Sequence, residues 1–416
     1  MKRIFFPVLA VIGSLAAGYF IISIWRGISL YQSSPSEENL LSATRLAPSN
    51  PDPFYRLGIF YQWDIQHIDL KEAARSFRRA IERNPLDQES WLNLAKTYHR
   101  MGERTASASA LENAISVFPT SYRGRWMGGN LLLQQGNFEK ALPHFSYLLA
   151  HYPNQSATVY DVLDKAINDP DFVLERMVPK DPLSFEQYLS YLYQTGDKDP
   201  VRKGWAKRSS FGYQADRGQT LRHIGFLISR DEFNEAFQVW KARLQEEGLS
   251  TVSDGNLITN GGFEKEQVLG GGFDWKIEKV PGAEVSFDPS VAFEGKRSLK
   301  IVFDGKENVD FYHVYQFLPL KSDTEYVLSA YVKTEALTTK SGLKIEVVGV
   351  GQPLQGVSET LIGDNAWREL IVSFRTPAQL QGGLVRVRRD KTDKFDRYIS
   401  GTIWIDNFQL VEKNRP

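Results

Sequence analysis

The sequence predicts a multidomain α + β protein with one N-terminal transmembrane helix, an all-α solenoid and a C-terminal antiparallel β-sandwich. Three observations carry this reading. Ile4 to Trp25 is a run of 22 residues without a charge. Pro85, Pro119 and Pro153 recur 34 residues apart within helical patterns. Beyond Gly248 the helical period gives way to short alternating runs separated by Gly, Pro and Asp. The expected boundaries are 1–31 for the cytoplasmic N-terminus and anchor, 32–250 for the helical domain and 251–416 for the sandwich.

The apolar run comes first. At ~1.5 Å per helical residue it spans a hydrocarbon core of ~30 Å. Lys2 and Arg3 precede it, and Arg26, then polar residues and Glu37 and Glu38, follow it. The positive-inside rule then leaves the N-terminus in the cytoplasm and the bulk of the chain outside, as a single-pass protein of the inner membrane with its body in the periplasm. The rival is a cleaved signal peptide with "SLAAG" at 14–18 as its processing site. The apolar run continues to Trp25, longer than the usual 7–15-residue core of a signal. Composition adds exclusions. Lys+Arg and Asp+Glu are both 50, so no basic excess exists for bulk nucleic-acid binding. The absence of cysteine removes disulfides, zinc–thiolate sites and thiol nucleophiles.

The helical region is repetitive. Trp91, Leu94, Ala95 and Tyr98 are followed by Ser107, Leu111, Ala114 and Pro119. Phe54, Leu57, Gly58 and Tyr61 are followed by Ala73, Phe77, Ala80 and Pro85, with a longer turn around "DIQHIDL". A third copy runs from Arg125 through Gly128, Gly129 and Leu132 to Ala141, Phe145, Leu148 and Pro153. Small residues let paired helices approach, large ones fill the groove between them, and each proline redirects the chain. This pattern closely resembles the tetratricopeptide repeat. Ser36 to Pro48 fits a lone second helix, so the array starts just outside the membrane. Phe185–Leu192 and Leu221–Trp240 resemble degenerate repeats, with an irregular joint at Asp169–Pro182. The resemblance implies a scaffold that binds a protein partner in its groove.

Strand alternation is clear in "YVLSAYVK" (326–333), "LKIEVV" (343–348), "ELIVSF" (369–374), "LVRVRR" (384–389) and "TIWIDNFQL" (402–410). "NLITNGGFE" (256–264), "GGFDW", "GKRSLKI", "YQFLPLKSDTEYVLSAYVKTE", "AWRELIVSFRTP" and "GTIWIDNFQL" occur in that order. This ordered set resembles the carbohydrate-binding modules of cellulases and xylanases, which have a galactose-binding-like jelly-roll fold. The resemblance implies that "NLITNGGFE" begins the first strand. It also implies a structural Ca²⁺ held by Glu264 and Asp406; the alternative is that both are surface or turn carboxylates.

Sugar binding asks for exposed aromatic faces beside planar polar groups. Tyr331 and the pair Arg386 and Arg388 lie on the non-core registers of their strands. If those strands share a sheet, they form a basic aromatic patch, with Trp275, Tyr312 and Gln352 at its rim. A basic floor favours an acidic polysaccharide, because arginine engages carboxylates in bidentate fashion. No histidine pair, phosphate loop or nucleophile motif accompanies these residues, so no catalytic role is expected. The combined expectation is a non-catalytic membrane-anchored adaptor of bacterial cell-surface or exopolysaccharide biosynthesis or export. The alternative is a pure protein-interaction scaffold whose sandwich has lost sugar binding.

Overall fold

A computed structural model describes residues 2–33, 36–249, 255–380 and 382–413, with main chain only for 2–9 and 33. Two compact units divide at Tyr213/Gln214.

The first unit is all-helical. Helix α1 (Lys2–Ser33) is long and apolar enough to cross a membrane over Ala10–Gln32. Helical pairs follow: α2 (Glu37–Leu46), α3 (Pro51–Trp63) with α4 (Leu70–Arg83), α5 (Gln88–Arg100) with α6 (Arg104–Val117), and α7 (Tyr122–Gln134) with α8 (Phe138–His151). Then come α9 (Ser156–Ile167), the one-turn α10 (Pro170–Phe172), α11 (Pro182–Thr195) and α12 (Lys198–Lys207). A π-helical turn, Val173–Met177, occupies the expected joint. Local chemistry sets the boundaries. Asp69 accepts from the N–H groups of Lys71 and Glu72, and Asp87 from those of Glu89 and Ser90, satisfying donors that open helix ends leave free. Gly58 and Gly129 allow the close pairing: a Cβ on Gly58 would lie 2.6 Å from the Phe77 ring, and one on Gly129 2.7 Å from Phe145. Helix α2 does have a first-helix partner, which is the C-terminal part of α1. Tyr31, Leu40, Ala43 and Leu57 form one buried cluster.

The second unit opens with α13 (Arg217–Ser229) and α14 (Phe233–Glu246) and continues as a sandwich. Its strands are β1 (Lys276–Ile277), β2 (Ala283–Asp288), β3 (Ser298–Asp304), β4 (Phe311–Leu318), β5 (Glu325–Glu335), β6 (Lys344–Gly349), β7 (Gln355–Val357), β8 (Asn365–Arg375), β9 (Gly383–Arg389) and β10 (Ser400–Glu412). One sheet runs β1-β4-β9-β6-β7 and the other β2-β3-β10-β5-β8, and every pairing is antiparallel. Inward residues such as Tyr326, Leu328, Ala330, Val332, Val385 and Val387 are fully buried between the sheets.

Two expectations change here. The units divide before α13 rather than at 250/251. Val268, Leu269 and Phe273, from the loop ahead of β1, join Ile224, Leu227, Phe233, Phe237 and Trp240 in one apolar cluster. The change of periodicity marks where secondary structure changes, whereas packing couples the last helical pair to the sandwich. The stretch 256–264 is not a strand. Its Leu257 N–H donates to the Leu410 carbonyl, and the Phe408 N–H donates to the Gly261 carbonyl, so it is a turn-rich segment clasped to β10.

Candidate functional site

The outer face of the β1-β4-β9-β6-β7 sheet carries a row that is polar across four strands and ends on a valine of the fifth. Lys276 pairs with Tyr315, Tyr315 with Arg386, Arg386 with Glu346, and Glu346 with Val357. The period of two puts these side chains outward, since Val314, Val385 and Ile345 beside them are buried inward. Arg386 Nε donates to Glu346 Oε2 at 2.9 Å, and Gln355 Nε2 donates to Glu346 Oε1 at 2.7 Å. Arg388 Nε lies 3.8 Å from the same carboxylate and pairs on its other side with Asp310 and Asp390. Lys344 Nζ pairs with Asp390 at 2.5 Å. Burial works to raise the Asp390 carboxyl, but the Lys344 hydrogen bond and the Arg388 charge hold it below its usual value.

Tyr312 stands over this lattice. A register shift in β4 between Phe311 and Val314 lets two successive residues face outward, and Tyr312 is 43% exposed. Its ring centroid is 5.9 Å from the guanidinium carbons of both Arg386 and Arg388. The Tyr315 hydroxyl donates to Glu278 at 2.8 Å, and burial together with that carboxylate pushes the phenol up to about 12. Beneath the face lies Arg389, fully buried, donating to Asn308 and to the carbonyls of Ser341, Val309 and Arg397. It fastens the loops at this end of the sheet.

The sequence-derived residues fall into three places. Tyr312, Arg386 and Arg388 meet as one surface. Tyr331 does not join them. It lies on β5 in the other sheet, paired with Asp406 and stacked on Phe293 with ring centroids 3.6 Å apart and planes 10° apart. Alternation identifies the face of a strand but not its sheet, and the chain changes sheets between β4 and β5. Trp275 is core: its indole N–H donates to the Asn260 carbonyl, and its ring packs on Phe263 and Phe408. Gln352 is exposed in the β6–β7 turn, beyond Gly349 and so ~10 Å along the strand from the Glu346 row. The basic floor is also replaced. Arg386, Arg388 and Lys344 face Glu346, Asp310 and Asp390, so the cluster is charge-balanced. Sequence reasoning missed Glu346 and Arg389. Arg389 left a signal, because it falls on the core register with Val385 and Val387.

Glu264 and Asp406 come together on the 293–296 loop. Asp406 accepts from the N–H groups of Phe293 at 2.9 Å, Glu294 at 3.1 Å and Asn407 at 2.7 Å; Glu264 accepts from the Lys296 N–H at 2.8 Å. Asp406 is fully buried. Burial raises its carboxyl above the usual value against these N–H groups, and the Glu264 charge raises it further. Both carboxylates are hard oxygen donors, the type calcium selects, and each keeps free lone pairs. Among the described residues no group of three or more His, Cys, Asp or Glu is suited to a metal ion, so further ligands would have to be main-chain carbonyls or water.

The helical unit offers a separate concavity of about 400 Å³ between α5 and α7, lined by Lys96, Arg100, Arg123, Trp126 and Asn130 among others. Burial lowers the Lys96 ammonium, and the charges of Arg100 and Arg123 lower it further.

Residues 255–393 match a carbohydrate binding domain family, and residues 76–108 and 94–156 match tetratricopeptide repeat families. The chain joins tetratricopeptide repeats to a carbohydrate-binding-module-like sandwich. Among curated proteins it is 25% identical over 163 residues to the tRNA(Glu)-specific nuclease WapA of Bacillus subtilis subsp. natto, a match covering 37% of this chain and 7% of that protein. The chain therefore spans a small part of that relative, and neither kind of domain found here is catalytic. Among solved structures it is similar to a family 16 carbohydrate-binding module (23% identity, 38% of this chain and 100% of that one, TM-score 0.29). It is also similar to a tetratricopeptide repeat protein from Parabacteroides merdae (16% identity, 56% of this chain and 94% of that one, TM-score 0.32).

Proposed function

We propose that this protein is a non-catalytic, membrane-anchored extracytoplasmic adaptor. Its sandwich holds a polysaccharide on the Tyr312–Arg386–Arg388 face while its repeats hold a protein partner, in bacterial cell-surface or exopolysaccharide biosynthesis or export. The observation that carries the sugar-binding part is the row of fixed polar groups beneath an exposed aromatic ring. The ring offers a flat apolar face to sugar C–H groups. The guanidinium groups, amide and carboxylates around it offer donors and acceptors already held in place, so little ordering cost accompanies binding. Charge balance in this cluster favours a neutral glycan over the acidic one expected from the arginines alone. The concavity between α5 and α7 supports the protein-partner part, and the apolar α1 supports anchoring from the inner membrane.

The same reading gives Glu264 and Asp406 a structural Ca²⁺. The ion would tie the 293–296 loop to β10 and would take no part in contacting sugar.

One observation favours the alternative, a pure interaction scaffold. Phe233 of α14 lies 5.8 Å, ring to ring, from Phe317 on the outer face of the same sheet, so helices already occupy one end of that face. The test uses the full chain in detergent micelles, titrated with neutral and acidic soluble polysaccharides by calorimetry. Loss of an aromatic platform worth up to ~1.5 kcal/mol makes Tyr312→Ala bind about tenfold more weakly. Tyr331→Ala binds as the wild type does. Folded protein that binds no polysaccharide in the panel overturns sugar binding and leaves the scaffold.

A further inference from the structure

The helix α1 and the first repeat form one packed body, and this fixes how close the array comes to a bilayer. Residues 10–22 are exposed apart from half-buried Gly18, and coverage begins at Ser23. The Ser23 hydroxyl donates to the Leu46 carbonyl at 3.1 Å. A Cβ on Gly27 would meet Ala47 at 3.2 Å, and Tyr31 is buried against Leu40 and Ala43. Helix α2 therefore runs back along α1, so that its C-terminal end reaches the level of Ser23.

Helix α2 carries Glu37, Glu38 and Arg45, so the hydrocarbon layer must end before Ser23. The uncharged stretch of α1 ahead of Ser23 is Ile4–Ile22, 19 residues. At ~1.5 Å each they measure about 28 Å, against a hydrocarbon thickness of ~30 Å. That length is consumed by the bilayer, with no spacer between lipid and protein. The α2–α3 loop then sits in the headgroup layer, which is ~5–8 Å deep on each side.

The same edge of the array continues through the later inter-repeat loops. Arg83, at the end of α4, donates to the Pro48 carbonyl of the α2–α3 loop. Gln88, at the start of α5, donates to the Phe118 carbonyl at 3.1 Å. Leu86 and Phe118, at these loops, are 75% and 55% exposed.

We propose that this inter-repeat edge rests on the lipid surface, with Leu86 and Phe118 seated among the headgroups of the leaflet that α1 exits. The proposal rests on the reading of α1 as a membrane anchor. The partner is the bilayer itself: burying a Leu and a Phe side chain at the interface is favourable, and both belong to the apolar types that lodge there. The opposite edge, at the α3–α4 turn, stands about 20 Å away along the 13-residue α3 and is held in water. Its Ile65 is 91% exposed and serves as the control.

The test exploits the cysteine-free sequence. Leu15→Cys, Leu86→Cys, Phe118→Cys and Ile65→Cys are made singly in the full chain and labelled with an environment-sensitive fluorophore. Each protein is reconstituted in phosphatidylcholine–phosphatidylglycerol vesicles with or without headgroup- and chain-spin-labelled lipid. The expected result is chain-label quenching at Leu15, a blue shift with headgroup-label quenching at Leu86 and Phe118, and neither at Ile65. Quenching at Leu15 with Leu86 and Phe118 indistinguishable from Ile65 overturns the proposal and leaves the anchor standing. An aqueous signal at Leu15 removes the anchor and the proposal together.

Discussion

Replacing Glu346 by Gln probes the charge lattice that holds the proposed sugar-binding face. The Glu346 side chain is only 3% exposed and faces Arg386 at 2.9 Å and Arg388 at 3.8 Å. Glutamine keeps the size and one acceptor but removes the charge, and its amide presents donors to donors. Removing one partner of a fully buried pair costs about 3–5 kcal/mol. The two guanidinium groups are 26% and 15% exposed, so water recovers part of that loss and about 2 kcal/mol is expected. For a unit of about 200 residues each kcal/mol moves the melting temperature by ~2–4 °C, giving a drop of ~4–8 °C. Thermal unfolding followed by tryptophan fluorescence reads this, because Trp275 and Trp404 are buried in the sandwich. A double-mutant cycle of Glu346→Gln with Arg386→Ala should show coupling of about 1 kcal/mol or more. Melting unchanged from wild type, with additive single effects, would refute the reasoning that this lattice is a coupled ion network.

Two further outcomes can be stated. Because burial raises the Asp406 carboxyl above its ordinary 3.8, its contribution to stability is complete below that value and is lost as pH rises through the folded value. In chelator, Asp406→Asn should therefore remove part of this loss near neutral pH. With calcium added the wild type should melt higher and Asp406→Asn should not; a wild type indifferent to calcium ends the metal reading. In the repeats, Gly58→Val forces a side chain into the Phe77 ring and should cost ~1–3 kcal/mol, read as an earlier helical transition by circular dichroism. An unshifted transition would mean that α3 and α4 are free to separate.

The repeats were legible in the sequence because their contacts are local. Gly58 meets Phe77 within one repeat, and the 34-residue period states the rule three times. Strand faces were legible for the same kind of reason: the period of two names inward and outward residues, and Arg386 and Arg388 face outward as read. What was not legible depends on register and sheet assignment. Tyr331 has the right face in the wrong sheet. Glu346 gains its meaning only from standing opposite Arg386, a pairing between residues 40 apart that no local pattern encodes. Trp275 lies in the loop ahead of β1, but its ring turns inward to fill the space between Phe263 and Phe408, a packing choice that no local pattern states.

The position of β10 bears on how the protein is made. This last strand is the middle of its sheet, between β3 and β5, and Asn256 at the other end of the sandwich hydrogen-bonds to Leu410 and Phe408. The early repeats can pack as they leave the synthesis machinery, because their partners are close in sequence. The sandwich cannot. Until β10 has emerged, β3 and β5 have no strand between them and both sets of β10 pairings are missing. A nascent chain stalled ahead of Ser400 would carry finished repeats and an open sheet, a species on which chaperones and proteases would act.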